Sequence, residues 1–466
     1  MEQKKRSSFS SRIGFVLAAA GSAVGLGNLW RFPYLAARYG GGIFLLVYLI
    51  LALTFGFSLM ITEIAIGRKT RLSCIGAYKA LDKRFGFLGW LAAFVPFIIT
   101  PYYCVIGGWV MKYLFTFLSG GALAAADNGG FFSNFIGYDA GSIGSTMLSF
   151  NGPTPWFILF VLATTVVVIF GVEKGIEKAS RIMMPILAVL AIVIAIYSLT
   201  IPGALDGLKY YILPDFSQFS VSTVLGAMGQ LFYSMSLAMG IMITYGSYMQ
   251  KENLLEHSVT QIEIFDTLFA FVAGLMIIPA VIAFNGGDPS QVNSGPGLMF
   301  ITLPMVFDSM KFGTIIGAVF FLLVLFAALT SSISLMETLV SVLMDKAHMK
   351  RKPATIVIAA CCLTIGMLSC LGYGPWATVT IIGMQFLDFF DFISNSVLMP
   401  IVALLTCILI GHVVGTKVIA DEVKEGAGSF HREKLHRVMV RWVAPVMLIA
   451  ILASELATKV FHLFTI

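Results

Sequence analysis

The chain has 466 residues, of which 58% are hydrophobic and only 12% charged, where soluble domains carry about 25% charged residues. A water-soluble domain could not hide so much apolar surface, because its exterior must face water, and lipid is left as the solvent. The net charge of +6 does not mark a nucleic-acid binder, since the basic residues fall in short loops between apolar runs and not in a stripe interleaved with aromatics.

Apolar stretches long enough to cross the hydrocarbon core, roughly 18 residues or more, run over 13–37, 42–66, 87–118, 155–171, 181–201, 222–248, 256–284, 313–344, 354–372, 381–411 and 440–463. The fold class predicted is an all-α integral membrane protein with eleven transmembrane helices, numbered here as spans 1 to 11. Span 7 holds Asp266 and span 10 holds Asp388 and Asp391, so those two rest on length despite their charges. The segment 1–12 is basic, but Gly21–Asn28 does not read as a cleavage site, so span 1 is not a signal peptide. Of 30 Lys and Arg, 24 fall on the side of the N-terminus and four on the other. That asymmetry predicts a cytoplasmic N-terminus and an exterior C-terminus in the cell (plasma or inner) membrane. None of the six cysteines lies in an exterior loop, which argues against a disulfide framework. The histidines lack ligand spacing, and no nucleophile–base pair or phosphate-cradling motif suggests an enzyme.

The informative spans are those in which a helix is interrupted. Span 1 carries Gly21, Gly25 and Gly27 within seven residues, each weakening a helix by about 1 kcal/mol relative to Ala. Arg31 follows at membrane depth, where a charge is expensive. Span 6 carries Gly226, Gly229, Ser234, Ser236 and Gly240. Small residues also serve close helix packing, and Gly21 and Gly25 alone would fit that reading. Spans 1 and 6 each open a five-span block, however, and paired interruptions in two halves point to a midplane site between inverted repeats, 13–201 and 222–411. Broken helices offer free amides to a carboxylate and free carbonyls to a cation. Thr330 and Ser331 in span 8 and Asp266 in span 7 supply further oxygens at that depth. The hydroxyls could equally bond back to the preceding turn, and Asp266 could be a structural partner of a buried hydroxyl.

These segments resemble the neurotransmitter:sodium symporters. The similarity rests on Gly21–Pro33, Glu63 with Gly67-Arg68, Pro101-Tyr102-Tyr103, Gln230–Tyr248 and Ala327–Ser332, and it covers essentially the whole chain. The nearest pattern is that of bacterial amino-acid transporters with eleven spans. The resemblance implies two sodium ions. The first would meet the carbonyl of Ala23, the side chains of Asn28, Ser234 and Asp266, and the substrate carboxylate. The second would meet the carbonyls of Gly21, Val24 and Ala327 and the hydroxyls of Thr330 and Ser331. The substrate carboxylate would face the amides of Leu26 and Gly27 and the Tyr103 hydroxyl. Its ammonium would face Ala23, Tyr233, Ser234 and Ser236. Ile99, Tyr103, Tyr233, Met239, Ser331 and Leu335 would surround its side chain. Arg31 with Asp391 would gate the exterior, and Arg6, Tyr248 and Asp345 the cytoplasmic end. Read alone, Arg6 is a topology signal and Asp345 a solvated helix end.

The implied function is sodium-coupled uptake of a neutral, apolar or aromatic amino acid, within a lipid bilayer and without an evident protein partner. Gly25 stands where amine-transporting relatives place an Asp, which leaves room for a substrate carboxylate. Asp266 replaces the Asn, and Ala270 the chloride-binding Ser, of chloride-dependent animal members, so a fixed carboxylate would stand in for chloride. The emptied carrier would then return with Asp266 either protonated, exporting a proton, or still ionised beside Gln230 and Tyr48. Ala238 occupies a position that is often Gly. A proton-coupled or exchange transporter of the same architecture is the alternative; it would typically lack the Thr330-Ser331 pair.

Overall fold

Backbone in lipid has no water to bond to, so each span must satisfy its own N–H and C=O groups. The computed structural model describes residues 7–138, 149–289, 292–293, 295–425 and 429–459, and it meets that constraint with helices. Among the described residues there are isolated bridges at Gly41–Pro214 and Ile381–Met384 but no β-strand.

Each of the eleven apolar stretches contains helix where described, span 10 only from Phe386 onward and spans 1 and 6 with a break inside. Eight helices among the described residues are individually long and apolar enough to cross a membrane: Gly42–Thr70, Lys83–Leu118, Val172–Leu199, Leu255–Phe284, Gly313–Lys346, Arg351–Gly372, Phe386–Val413 and Glu433–Lys459. Arg12–Ala23 and Gly27–Arg38, bent by 50°, make a ninth if taken as one span. Pro153–Ile169 has only 17 residues, and span 6 is divided into Val221–Ser234 and Ile241–Tyr248, so helix length alone does not carry the count to eleven. Span 5 begins earlier than its apolar run, at Val172, and span 11 at Glu433. Residues 460–463 of the expected span 11 lie outside the described residues. The apolar runs did not reveal the short helices Cys74–Leu81, Ala204–Ile212 and Lys417–Lys424, each of which has too few residues to register as a span.

The first half of span 1 packs against spans 5, 7 and 8, and span 3 packs against spans 4, 8 and 9. The second half of span 6 lies along span 2, and two glycines explain how it comes so near. A Cβ on Gly67 would overlap the carbonyl oxygen of Ile243, and one on Gly246 would overlap that of Ile64. Lipid-exposed helices gain little from the hydrophobic effect on pairing, so such close backbone approach supplies the packing instead. Gly67→Ala is expected to force these helices apart and destabilise the protein by about 1–3 kcal/mol. Thermal unfolding of the purified protein measures this, and an unchanged midpoint would show that the contact is dispensable.

Candidate functional site

The two interruptions meet. In span 1 the helix ends at Ala23, Val24 leaves helical geometry at φ −76° and ψ 102°, and helix resumes at Gly27. In span 6 the break covers residues 235–240, with Ser236, Ala238 and Gly240 at φ +52°, +61° and +71°. A left-handed residue with a Cβ costs roughly 1–2 kcal/mol, so Ser236 and Ala238 need compensation. Ser236 Oγ donates to the Ser22 carbonyl at 2.9 Å, and the Ala238 amide donates to Glu63 Oε1 at 2.7 Å. Glu63 thus holds the second break open from span 2.

On one side of the breaks lies a buried oxygen cluster. Asn28 Nδ2 donates to Ser234 Oγ at 2.8 Å and to Asp266 Oδ1 at 2.9 Å. Ser234 Oγ lies 2.8 and 3.0 Å from the two oxygens of Asp266. The Tyr48 hydroxyl completes the set at 3.3 Å from Oδ2. Asn28, Ser234 and Asp266 are fully buried, and among the described residues Asp266 forms no ion pair. A carboxylate in that position is stable only when several donors hold it. Gln230 Nε2 donates to the Gly27 carbonyl at 3.0 Å, while its Oε1 has no partner among the described residues.

On the other side, span 8 faces the carbonyls that span 1 leaves open. Ser331 Oγ lies 3.4, 3.1 and 3.4 Å from the carbonyl oxygens of Gly21, Ser22 and Val24. Thr330 Oγ1 bonds back to Phe326 and Ala327, each at 3.0 Å. The two neighbouring hydroxyls therefore behave differently: Thr330 satisfies its own helix, and Ser331 reaches across to another.

Between the clusters is a cavity with about 350 Å³ of empty space. Ala23, Leu26, Gly27, Ile99, Tyr103, Tyr233, Ser236, Met239, Ser331 and Leu335 line it. No charged side chain is among them. Ser234 does not reach it and belongs to the Asp266 cluster. The Tyr103 hydroxyl accepts from the Leu26 amide at 3.4 Å. A Cβ at Gly25 would stand 2.6 Å from Ser331 Oγ and 3.0 Å from the Tyr103 hydroxyl, so only glycine leaves this space open. Gly25 also lines the cavity, and so do Ser22 and Ile241, which had not been assigned to it. Ser22 contributes mainly a backbone carbonyl, which carries no side-chain signal.

At one end, Arg31 and Asp391 do not form the expected ion pair within 4 Å. The Arg31 guanidinium lies over the Tyr233 ring, 5.7 Å from its centroid. Asp391 Oδ1 instead accepts from Tyr102 of span 3 at 3.2 Å and from Asn395, four residues further along its own span, at 2.5 Å. At the other end, the Tyr248 hydroxyl donates to Glu337 at 2.7 Å, and Arg351 holds Glu337 at 2.5 and 2.9 Å. Asp345 accepts from the Ser73 amide at 2.7 Å. Arg6 lies outside the described residues. Glu337 was not expected from the sequence, although a carboxylate inside span 8 was the available signal.

If Glu63 is what holds the break in span 6, Glu63→Ala leaves the Ala238 amide unpaired and should destabilise the protein by about 1–3 kcal/mol. Glu63→Gln keeps an acceptor and should lose less. Equal midpoints for the two variants in thermal unfolding would rule out that role.

Comparison with known proteins places this geometry in a family. Residues 6–126 and 135–463 match the model of the sodium:neurotransmitter symporter family. An uncharacterized sodium-dependent transporter of Bacillus subtilis, YhdH, is 35% identical, the match spanning 92% of this chain and 93% of that protein. One from Haemophilus influenzae is 33% identical over 97% and 99%. The crystal structure of MhsT in complex with L-phenylalanine superposes with a TM-score of 0.85 at 38% identity, covering 97% of this chain and all of that one. This chain belongs to the sodium:neurotransmitter symporter family.

Proposed function

We propose that the protein is a secondary active symporter that takes up a neutral, apolar amino acid with two sodium ions by alternating access. The observation that carries this reading is an uncharged cavity at two helix breaks, flanked on both sides by buried oxygens. The first sodium would take the Ala23 carbonyl, Asn28, Ser234, Asp266 and the substrate carboxylate. The second would take Gly21, Val24, Ala327, Thr330 and Ser331. Hydroxyl protons that now point at carbonyls would rotate away, turning the same oxygens toward the cation. Sharing the carboxylate with the first ion makes the two ligands strengthen each other by the same interaction free energy.

The substrate side chain would sit among Ile99, Tyr103, Tyr233, Met239, Ser331 and Leu335. A charged side chain there would be buried without a partner, at several kcal/mol. The L-phenylalanine held by MhsT supports an aromatic or large aliphatic substrate, and Met239 can adapt to either. Eleven spans in two inverted five-span repeats, with the N-terminus cytoplasmic, would place Arg31, Tyr102 and Asp391 at the exterior and Tyr248, Glu337 and Asp345 inside. Arg31 lies over the Tyr233 ring while the Arg31–Asp391 pair stays open.

The test is uptake into proteoliposomes. Phenylalanine or leucine should accumulate against its gradient with sodium outside, and lysine and glutamate should not compete. Two sodium ions crossing 100 mV release roughly 4–5 kcal/mol, enough for about a thousandfold gradient. Equal uptake without sodium would favour the proton-coupled or exchange reading.

Chloride should be dispensable, because Asp266 supplies a fixed negative charge beside the first ion. A carboxylate cannot leave with the ion, so the empty carrier would return with Asp266 protonated and move a proton outward, which would offset part of the charge movement of the two sodium ions and lower the voltage-driven gradient accordingly. Asp266→Asn should lose transport or acquire dependence on an added anion, and should lose any response to a proton gradient. Full chloride-independent activity of Asp266→Asn would eliminate this part of the reading.

A further inference from the structure

A second cavity lies at the end of the molecule where the basic residues gather. It is an open cleft of about 1010 Å³ between the end of Phe386–Val413, the short helix Lys417–Lys424 and the start of Glu433–Lys459. Lys417, Lys424, Arg437 and Arg441 line it against two carboxylates, Asp421 and Glu433. Glu433 is already engaged, with Lys424 at 2.7 Å and Arg437 at 3.0 Å. Among the described residues neither Lys417 nor Arg441 has an ion pair. Cations left over in a cleft favour an anion.

The helix that supplies Arg437 and Arg441 presents an apolar strip one residue further along. Val438, Trp442, Val446 and Ile449, spaced 4, 4 and 3 apart, are 51–68% exposed. Only 22% of that helix's apolar window is buried by the rest of the chain, the smallest share of the eight spans. Trp442 stands at the junction: the Arg441 guanidinium lies 5.7 Å from its ring, and the edge of His412 meets it at 5.5 Å. A tryptophan with one apolar and one polar side suits the headgroup level of a bilayer, and basic pockets between spans suit anionic headgroups.

We propose that this cleft seats the phosphate of an anionic phospholipid, whose acyl chains run along Val438, Trp442, Val446 and Ile449. A free phosphate would use the cations and leave the strip unexplained. The assignment rests on the chain spanning a bilayer and is independent of what it transports.

The full-length protein, purified into phosphatidylcholine with phosphatidylglycerol added, tests this by native mass spectrometry of retained lipid. The wild type should retain phosphatidylglycerol in preference to phosphatidylcholine. Lys417→Gln with Arg441→Gln should weaken that retention about thirtyfold, as expected for two cations removed near an anionic surface. Lys79→Gln with Lys83→Gln, which removes the same charge from exposed positions on the helix Cys74–Leu81 and the start of span 3, should not. Equal losses in both variants would mean bulk surface attraction and overturn the proposal, as would no loss in the first. On the wild type itself, glycerophosphate and inorganic phosphate should displace the lipid poorly. Displacement by either as effective as by phosphatidylglycerol would assign the cleft to a free phosphate. A dimer that persists without retained phosphatidylglycerol would assign the strip to a second copy, and either result overturns the proposal.

Discussion

Everything central to this protein depends on backbone that is not allowed to be unsatisfied. Two helices stop inside the apolar slab, at residues 24–26 and 235–240, and at that depth each orphan amide or carbonyl would cost several kcal/mol without a partner. The partners come from elsewhere in the chain: Ser331 and Ser236 for the carbonyls of span 1, Glu63 for the Ala238 amide. Removing water is what turns these few groups into a site. The same oxygens in water would have no reason to converge.

The two oxygen clusters differ in how completely the protein satisfies them. Asp266 receives Asn28, Ser234 and Tyr48, all of them neutral donors. The carbonyls of Gly21, Ser22 and Val24 have two hydroxyls between them, Ser331 at 3.1–3.4 Å from all three and Ser236 at 2.9 Å from Ser22. Acceptors outnumber donors there. That imbalance supports the second sodium site proposed above, and it arises from helix geometry.

The surroundings are held by close backbone contact and buried ion pairs. Gly67 and Gly246 bring spans 2 and 6 into backbone contact, and the buried Arg68 reaches Glu422, whose carboxylate also meets Lys251. Buried pairs of this kind add little net stability but strongly resist the loss of one partner. They tie the basic end of span 2 to the segment between spans 10 and 11, next to the cleft lined by Lys417 and Arg441.

From residues alone one could read the solvent, the helices and the interruptions, because apolar length and glycine spacing are local properties. Asp266, Thr330 and Ser331 stood out for the same reason: polarity at depth is visible in one dimension. The segment motifs carried the family, and nearly every residue they implied for the substrate lines one cavity. What tertiary structure decided is how shared acceptors are divided. Thr330 and Ser331 are adjacent and alike in sequence, yet one bonds within its helix and the other spans to a different one, because they point to different sides of span 8. Arg31 and Asp391 carry opposite charges, yet each found a nearer partner in Tyr233, Tyr102 and Asn395. Glu337 and Glu63 look alike as buried carboxylates. Only the fold gives one an arginine 14 residues away and the other the amide of a left-handed residue 175 residues away.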